Sequence, residues 1–200
     1  MLSVLTPTGD RPDAFADCIE MMRAQDYRGP VRWVVVDDGH EMTPTPEIEG
    51  WEVVHLRPFP RWRKGQNTQA RNLLIGLHHV TDRVVVVEDD DSYAPWWLSR
   101  CDAWLDAADL VGEAPSLYRH LNGREKNMGN TEHASLCSTA LKGPAIADLR
   151  RVCREQRKFI DMRLWRDFAG SKRIHPPEPR GVVGIKGRPG RPGIGIGHRL

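Results

Sequence analysis

The sequence predicts an α/β fold in which a mostly parallel sheet is flanked by helices within a single domain. Strand-like apolar runs alternate with segments whose apolar residues recur at helical spacing. Residues 84–87 are four consecutive valines, a pattern typical of a strand buried on both faces. The chain has 200 residues, of which 40% are hydrophobic and 28% charged, and these values suit one globular domain.

The first half of the chain shows the clearest alternation of elements. Strands are predicted at residues 2–6, 32–36, 51–56 and 84–87. Two intervening segments carry apolar residues on one helical face, namely Phe15, Cys18, Ile19 and Met22 after Pro12, and Ala70, Leu73, Leu74 and Leu77 further along. The order strand, helix, strand, strand, helix, strand is typical of α/β proteins.

The second half of the chain gives weaker signals. A helix is predicted over residues 97–108, followed by strands at 109–112 and 135–141 with loop-forming Asn and Gly between them. A further helix is predicted over residues 154–168. The remaining residues are rich in proline, glycine and basic side chains, which favours irregular structure.

Acidic residues follow two of the predicted strands directly. Asp37 and Asp38 end one strand, and the valine strand leads into Glu88, Asp89, Asp90 and Asp91. Ligands of open α/β sheets bind at the carboxyl ends of the strands. Four adjacent carboxylates repel one another, so a buried strand end requires a cation or ligand donors to compensate their charge. The run therefore favours a divalent metal or ligand site over the alternative, a solvated acidic turn.

Charge is unevenly distributed along the chain. The net charge is +2, but residues 150–200 hold 14 Lys and Arg against 4 Asp and Glu, and residues 1–149 hold 15 against 23. This asymmetry indicates an anionic partner. No long apolar stretch indicates a membrane segment, and the four widely spaced cysteines are expected to be reduced thiols, so we expect a cytoplasmic protein without membrane contact.

Four short motifs resemble a known family when they are taken in order. They are Val4-Leu5-Thr6-Pro7-Thr8, Val35-Val36-Asp37-Asp38-Gly39, Gln69-Ala70-Arg71-Asn72 and Glu88-Asp89-Asp90-Asp91-Ser92-Tyr93-Ala94-Pro95. Together they are similar to the family-two glycosyltransferases of the GT-A fold, over roughly the first 110 residues. The resemblance implies an enzyme that transfers a sugar from a nucleotide sugar, with UDP as the usual nucleotide, with the help of Mn²⁺ or Mg²⁺.

The resemblance also assigns roles to residues at the strand ends. It implies that the nucleotide sugar is bound by Thr6, Pro7, Asp37, Asp38, Arg71, Glu88 and Asp89, and the metal by Asp90 and Asp91. Pro95 follows Asp91 by four residues, as in the family motif, which makes Glu88 and Asp90 the motif pair. The pair Asp89 and Asp91 remains the alternative. An ordinary surface arginine is the alternative for Arg71, and a turn aspartate for Asp38.

The family supplies a general base from an acidic motif that opens a helix about 70 residues beyond the metal motif. Asp161 lies at that distance and is the predicted base of an inverting transfer. An apolar setting beside other acids would raise the affinity of this carboxylate for protons, which suits a base. The alternative is an exposed helix aspartate that pairs with Arg157 or Arg163.

The C-terminal segment resembles the flexible segment that closes over the donor in related enzymes. Its glycines permit close approach of the backbone to phosphates. Lys186 and Arg191 are predicted to bind the diphosphate and His198 the metal, whereas a solvated tail is the alternative. We therefore divide the chain into a nucleotide-sugar-binding half at 1–112, an acceptor-side half with the base helix at 113–180, and a flexible tail at 181–200.

The acceptor is the least defined part of the prediction. The basic C-terminal region and small size are similar to those of phage enzymes that glycosylate hydroxymethylated pyrimidines in DNA, which would act in the host cytoplasm. A glycan or small-molecule acceptor is the alternative. Two other functions compete: a nucleotidyltransferase, which normally has a glycine-rich basic loop that Thr6 to Arg11 does not supply, and a noncatalytic sugar- or nucleic-acid-binding relic.

Overall fold

A computed structural model describes residues 1–155 and 158–191 of the chain. The strands are β1 (Leu2–Thr8), β2 (Val31–Asp37), β3 (Trp51–Leu56), β4 (Arg83–Val86), β5 (Ser92–Tyr93), β6 (Leu110–Glu113), β7 (Leu117–His120), β8 (Glu125–Asn127), β9 (Thr139–Lys142), β10 (Lys172–His175) and β11 (Val182–Lys186). The helices are α1 (Pro12–Arg23), α2 (Gln69–Gly76), α3 (Trp97–Ala107), α4 (Pro144–Glu155) and α5 (Ile160–Asp167).

A seven-stranded sheet forms the centre of the fold, with the strand order β10-β6-β9-β4-β1-β2-β3. Strands β4, β1, β2 and β3 pair in parallel, and β9 runs antiparallel to both β4 and β6. The carboxyl ends of β1, β2 and β4 therefore meet at one edge of the sheet. This edge is where the sequence places its acidic residues.

Helices cover both faces of the central sheet. On one face α1 and α3 pack through Phe15, Met22, Trp97 and Leu105, and on the other face α2, α4 and α5 pack through Leu73, Leu149 and Leu164. The valine strand serves both layers, since Val84 and Val86 belong to one apolar cluster and Val85 and Val87 to the other. The prediction of an α/β fold with a strand buried on both faces is confirmed.

A second sheet lies beside the acidic run, with the strand order β5-β11-β7-β8. Strand β5 follows the acidic run directly, and β11 pairs antiparallel with it. Residues 182–186, which the sequence prediction placed in a flexible tail, are thus an ordered strand. The sequence did not predict β7, β8 or β11, because these strands are short and partly polar.

The predicted helix over residues 154–168 is wrong. The structure has two helices there, α4 ending at Glu155 and α5 beginning at Ile160. Phe159, the residue before α5, has a left-handed backbone with φ of 55°, which interrupts any continuous helix. The strand predicted at 135–141 is shorter than expected, because a 3₁₀ turn over Leu136–Ser138 precedes β9.

Within residues 1–155 and 158–191, no helix is long and apolar enough to cross a bilayer.

Candidate active site

A cavity of about 350 Å³ opens at the carboxyl edge of the central sheet. On the sheet side it is lined by Pro7 and Thr8 at the end of β1 and by Glu88 and Asp90 after β4. The cavity is also lined by the second half of the chain, from β7, the 128–137 segment, α5 and β11. Its residues there include Tyr118, Asn130, His133, Cys137, Phe159, Asp161, Met162 and Lys186.

The four consecutive acids divide into two pairs with different surroundings. Asp89 is fully buried, accepts a hydrogen bond of 2.6 Å from the Thr8 hydroxyl, and forms an ion pair of 2.5 Å with Arg11. Asp91 is also fully buried, and its Oδ1 accepts from the Ile185 N–H at 2.9 Å and from Lys186 Nζ at 3.2 Å. Each of these two carboxylates therefore has a basic side chain of the protein as its partner.

Glu88 and Asp90, in contrast, line the cavity. Glu88 accepts a hydrogen bond from the Gln69 amide, and Asp90 Oδ2 lies 2.6 Å from Arg11 Nη1. Arg11 is shared by the adjacent Asp89 and Asp90, and the two acids that line the cavity, Glu88 and Asp90, are two positions apart. The choice of Glu88 and Asp90 as the motif pair, over Asp89 and Asp91, stays a prediction.

Burial and mutual repulsion dominate the electrostatics of the run. Burial, together with the neighbouring Asp91 and Asp90, holds the pKa of Glu88 well above its ordinary value. Burial also raises the pKa of Asp89 to about 6, although Arg11 opposes this. Burial lowers the pKa of Lys186, but the surrounding carboxylates, Asp91 first, outweigh it and raise that pKa overall. The run thus has a strong affinity for positive charge.

The chemistry of the acidic run fits a hard divalent cation. Carboxylate oxygens are the ligands that Mg²⁺ and Mn²⁺ prefer, and Glu88 and Asp90 present them at the cavity. Glu88, Asp91 and Cys137 also place ligand atoms within 4.8 Å of one another. Burial raises the pKa of the Cys137 thiol well above its ordinary value, so this sulfur stays protonated and suits a metal poorly. The third predicted metal ligand, His198, lies outside the described residues.

Asp37 and Asp38 point in opposite directions at the end of β2. Asp37 accepts hydrogen bonds of 2.9 Å from the N–H groups of Gly39 and Thr43. Burial opposes ionisation of Asp37, but hydrogen bonds from His55, Thr43 and Gly39 lower its pKa to about 2. Asp37 therefore fixes the turn after β2.

Asp38 is fully buried and binds two arginines. Its Oδ2 accepts from Arg71 Nη2 at 2.9 Å and from the Thr68 hydroxyl, and its Oδ1 accepts from Arg191 Nη1 at 2.5 Å. Arg71 also donates to the Pro60 carbonyl at 2.8 Å. The predicted donor-site residues Asp38, Arg71 and Arg191 are thus brought together, and Arg191 is the one that lines the cavity.

Asp161 reaches the cavity from the first turn of α5. Burial raises the pKa of this carboxyl, while the backbone N–H of Met162 and the nearby His133 act in the opposite direction. The burial expected for the base is present. Arg163, the alternative partner of Asp161, instead pairs with Glu155 and Asp167, each at 2.8 Å. Arg157 lies outside the described residues.

The remaining predicted residues are divided between the cavity wall and the core. Pro7 and Lys186 line the cavity. Thr6 is fully buried, and its hydroxyl accepts a hydrogen bond of 3.0 Å from the Trp33 indole N–H, so it supports β1 from behind.

The charge asymmetry of the chain has an explanation inside the fold. Basic residues near the C-terminus pair with acids from earlier in the chain in the ion pairs Arg180–Glu113, Lys186–Asp91, Arg188–Asp17 and Arg191–Asp38. On α4, Arg151 pairs with Asp148 and Glu155. Much of the basic surplus therefore neutralises the protein's own carboxylates.

Sequence reasoning missed several residues of the site. Arg11 follows β1 by three residues and holds Asp89 and Asp90, and its place at the same sheet edge as the acidic run is the signal that could have identified it. Phe159, Met162 and His133 line the cavity around Asp161. These residues lie in the second half of the chain, where helices and strands are harder to predict from sequence patterns.

Comparison with solved structures gives the fold independently. The structure of S. aureus TarS matches with a TM-score of 0.63 at 13% identity, covering 92% of this chain and 36% of TarS. TarS 1-349 in complex with UDP matches with a TM-score of 0.62 at 13% identity, covering 92% and 60% of the two chains. The complex of TarS 1-349 with UDP-GlcNAc gives 0.63 at 12% identity, covering 94% and 59%.

These matches confirm the predicted GT-A fold, and the chain spans between about a third and three fifths of the TarS chains that it matches. No curated protein sequence matches significantly. The family model described as Glycosyl transferase family 2 matches residues 3–173, which include both acidic strand ends and Asp161. The chain therefore belongs to glycosyl transferase family 2.

Proposed function

We propose that this protein transfers a sugar from a nucleoside diphosphate sugar, with UDP as the nucleotide, to an acceptor hydroxyl. One observation carries the proposal: Glu88, Asp90 and Asp161 line the same cavity. Glu88 and Asp90 suit a metal-bound diphosphate, and Asp161 suits deprotonation of an acceptor hydroxyl. The UDP and UDP-GlcNAc complexes of TarS, which shares the fold, support the choice of donor.

A charge balance supports metal dependence. The acidic run carries four negative charges when it is ionised, and the ion pairs Asp89–Arg11 and Asp91–Lys186 compensate two of them. Arg11 is shared between Asp89 and Asp90, so the run as a whole keeps two uncompensated charges, which equal those of one divalent cation. We infer that Glu88 and Asp90 hold Mn²⁺ or Mg²⁺, which when bound neutralises the charge that develops on the departing diphosphate.

Asp161 is assigned as the general base. Its carboxylate takes the proton of the acceptor hydroxyl as that oxygen bonds to the anomeric carbon and the bond from this carbon to the diphosphate oxygen breaks. Attack on the face of the anomeric carbon that lies opposite the departing diphosphate inverts the configuration at that carbon. The raised pKa of Asp161 suits this role, because a more basic carboxylate accepts the proton more readily.

The wall around Asp161 is suited to an acceptor that presents an apolar face. Phe159 and Met162 flank Asp161 in sequence, line the cavity and remain 51% and 47% exposed. The left-handed backbone of Phe159, with φ of 55°, is costly for a bulky residue and occurs most often at functional sites. We assign both side chains to acceptor binding.

The distribution of basic residues bears on the class of acceptor. A nucleic acid acceptor was predicted from the basic C-terminal region, in which Arg180, Lys186, Arg188 and Arg191 have carboxylate partners within the fold. We therefore favour a glycan or small-molecule acceptor.

Donor binding is tested by thermal unfolding with UDP and a panel of UDP-sugars, with Mn²⁺ or with EDTA. A ligand at 100 times its Kd stabilises by about 2.7 kcal/mol, which for a chain of this size raises Tm by about 5 to 11 °C. Asp90→Asn should remove the Mn²⁺-dependent part of the shift. Asp13→Asn, which removes one exposed carboxylate from α1, should retain it. Equal shifts with Mn²⁺ and EDTA would reject metal dependence, and no shift with any nucleotide sugar would reject the donor class.

A further inference from the structure

A short loop between β3 and α2 is strongly basic. Residues 57–66, which we call the basic loop, contain Arg57, Arg61, Arg63 and Lys64 and no Asp or Glu. Among the residues that the structure describes, none of these four side chains forms an ion pair with a carboxylate. In contrast to the C-terminal ion pairs, the basic loop therefore keeps its positive charge for a partner outside the chain.

The basic loop also exposes an aromatic side chain. Phe59 is 88% exposed, whereas the next most exposed large apolar side chain in the described part of the chain, Leu121, is 59% exposed. Phe59 lies between Pro58 and Pro60, and the cations of the loop begin two residues away on each side. One exposed apolar side chain is common on a protein surface, but its place in the middle of a cationic loop indicates a partner that is both anionic and able to bury the ring.

Hydrogen bonds hold the basic loop in the shape that exposes Phe59. The carbonyls on either side of this residue, those of Pro58 and Pro60, accept from Arg61 Nη1 and Arg71 Nη1, each at 2.8 Å. These two bonds fix the backbone around the ring, so a partner does not have to order the loop before it binds. A preordered loop lowers the entropy cost of association.

Cations around an exposed aromatic ring fit an anionic lipid bilayer better than other polyanions. A bilayer with acidic headgroups attracts each Lys or Arg at its surface, and its interface accepts an aromatic ring at the level of the headgroups. Long basic side chains can keep their charge in water while the ring inserts. A DNA duplex and an acidic glycan supply negative charge without an apolar layer, because the duplex keeps its bases inside the stack and glycan chains are polar.

We propose that the basic loop binds an anionic membrane surface, with Phe59 inserted and Arg63 and Lys64 at the headgroups. The expectation of no membrane contact was based on the lack of a long apolar stretch, which a loop that lies on the surface does not need. Because Gln66 and the following Asn67 line the cavity, the bound membrane would lie beside it. The inference goes beyond the proposed function and does not depend on it.

The charge of the loop is tested by flotation of the full chain with vesicles of phosphatidylcholine, alone or with about 30% phosphatidylserine, at about 0.15 M salt. The parent protein should bind the anionic vesicles at least about 25-fold more tightly than the neutral ones, since each exposed cation contributes about 5-fold. Arg63→Gln combined with Lys64→Gln should weaken binding to the anionic vesicles by about 25-fold. Arg124→Gln combined with Lys126→Gln, which removes two exposed cations from the β7–β8 hairpin, is the matched control and should leave binding unchanged.

Insertion of the ring is tested with Phe59→Ser, which should weaken binding to the anionic vesicles by about 5-fold or more. Leu121→Ser removes an exposed apolar side chain from the turn of the β7–β8 hairpin and should have no effect. All of these changes are at exposed positions, and unchanged thermal unfolding of each variant shows that the fold is intact.

The inference is overturned if the parent protein does not bind the anionic vesicles or binds the neutral ones equally well. It is also overturned if Phe59→Ser binds the anionic vesicles as tightly as the parent, or if the loop variants and their controls weaken binding to the same extent. Tighter binding of a short DNA duplex than of the anionic vesicles, with no effect of Phe59→Ser on either, would assign the basic loop to a nucleic acid instead.

Discussion

Replacing Lys186 with methionine removes the cation that faces Asp91 while keeping most of the side-chain volume. Lys186 is 5% exposed, and its Nζ lies 3.2 Å from a carboxylate that is fully buried. At an effective dielectric constant of about 20, the attraction over this distance is about 5 kcal/mol. Because the Ile185 N–H remains on Asp91, we expect a loss of about 3 to 5 kcal/mol in the free energy of unfolding.

This loss corresponds to a fall in Tm of about 6 to 20 °C, and urea unfolding measures it directly. Asp91→Asn combined with Lys186→Met removes both charges and should recover most of the stability. The pair Arg119–Glu125 is the control, because both of its side chains are exposed, and Arg119→Ala should cost at most about 1 kcal/mol. A loss below 1 kcal/mol for Lys186→Met would refute the view that Asp91 is a structural acid with its own cation.

Three further predictions follow from the ion pairs and the cavity wall. The pKa of Asp37 is lowered from 3.8 to about 2, so its stabilisation is complete above pH 4 and disappears as the pH falls toward 2. Asp37→Asn should flatten this part of the acid unfolding curve, by about 2 kcal/mol, and an unchanged curve would contradict the assignment. Because Lys186, Arg188 and Arg191 pair with carboxylates of the protein, binding to duplex DNA should depend only weakly on salt, whereas a steep slope, at about −0.9 per phosphate contact, would restore the nucleic acid acceptor. Phe159→Ala should raise KM for an acceptor found by turnover screening by about 2- to 10-fold without changing the Kd for UDP, and an equal loss in both would place Phe159 at the donor instead.

The sequence predicted the central sheet because local patterns determine it. Valine runs mark strands that are buried on both faces, and helical spacing marks the apolar faces of α1, α2 and α3. The acidic strand ends were visible for the same reason, since each follows its strand directly. The predicted pair Glu88 and Asp90 lines the cavity because the run directly follows β4 at the carboxyl edge of the sheet.

Distant pairing explains most of what the sequence did not predict. Lys186 binds Asp91 across 95 residues of sequence, and Arg191 binds Asp38 across 153. No periodic pattern reports such contacts, so the basic surplus was interpreted as a surface for an anionic partner. The break between α4 and α5 was missed because Phe159 adopts a left-handed backbone without the glycine that usually signals one.

The most direct test of the account is the rate of sugar transfer by Asp161→Asn. The amide keeps the shape of the side chain but cannot take a proton, so kcat should fall by about 10²- to 10⁴-fold while the Kd for the donor is unchanged. In the parent protein, kcat/KM should fall as the pH decreases through the pKa of Asp161, which burial places above its ordinary value of 3.8. Near-native turnover by Asp161→Asn would contradict the mechanism proposed for this cavity.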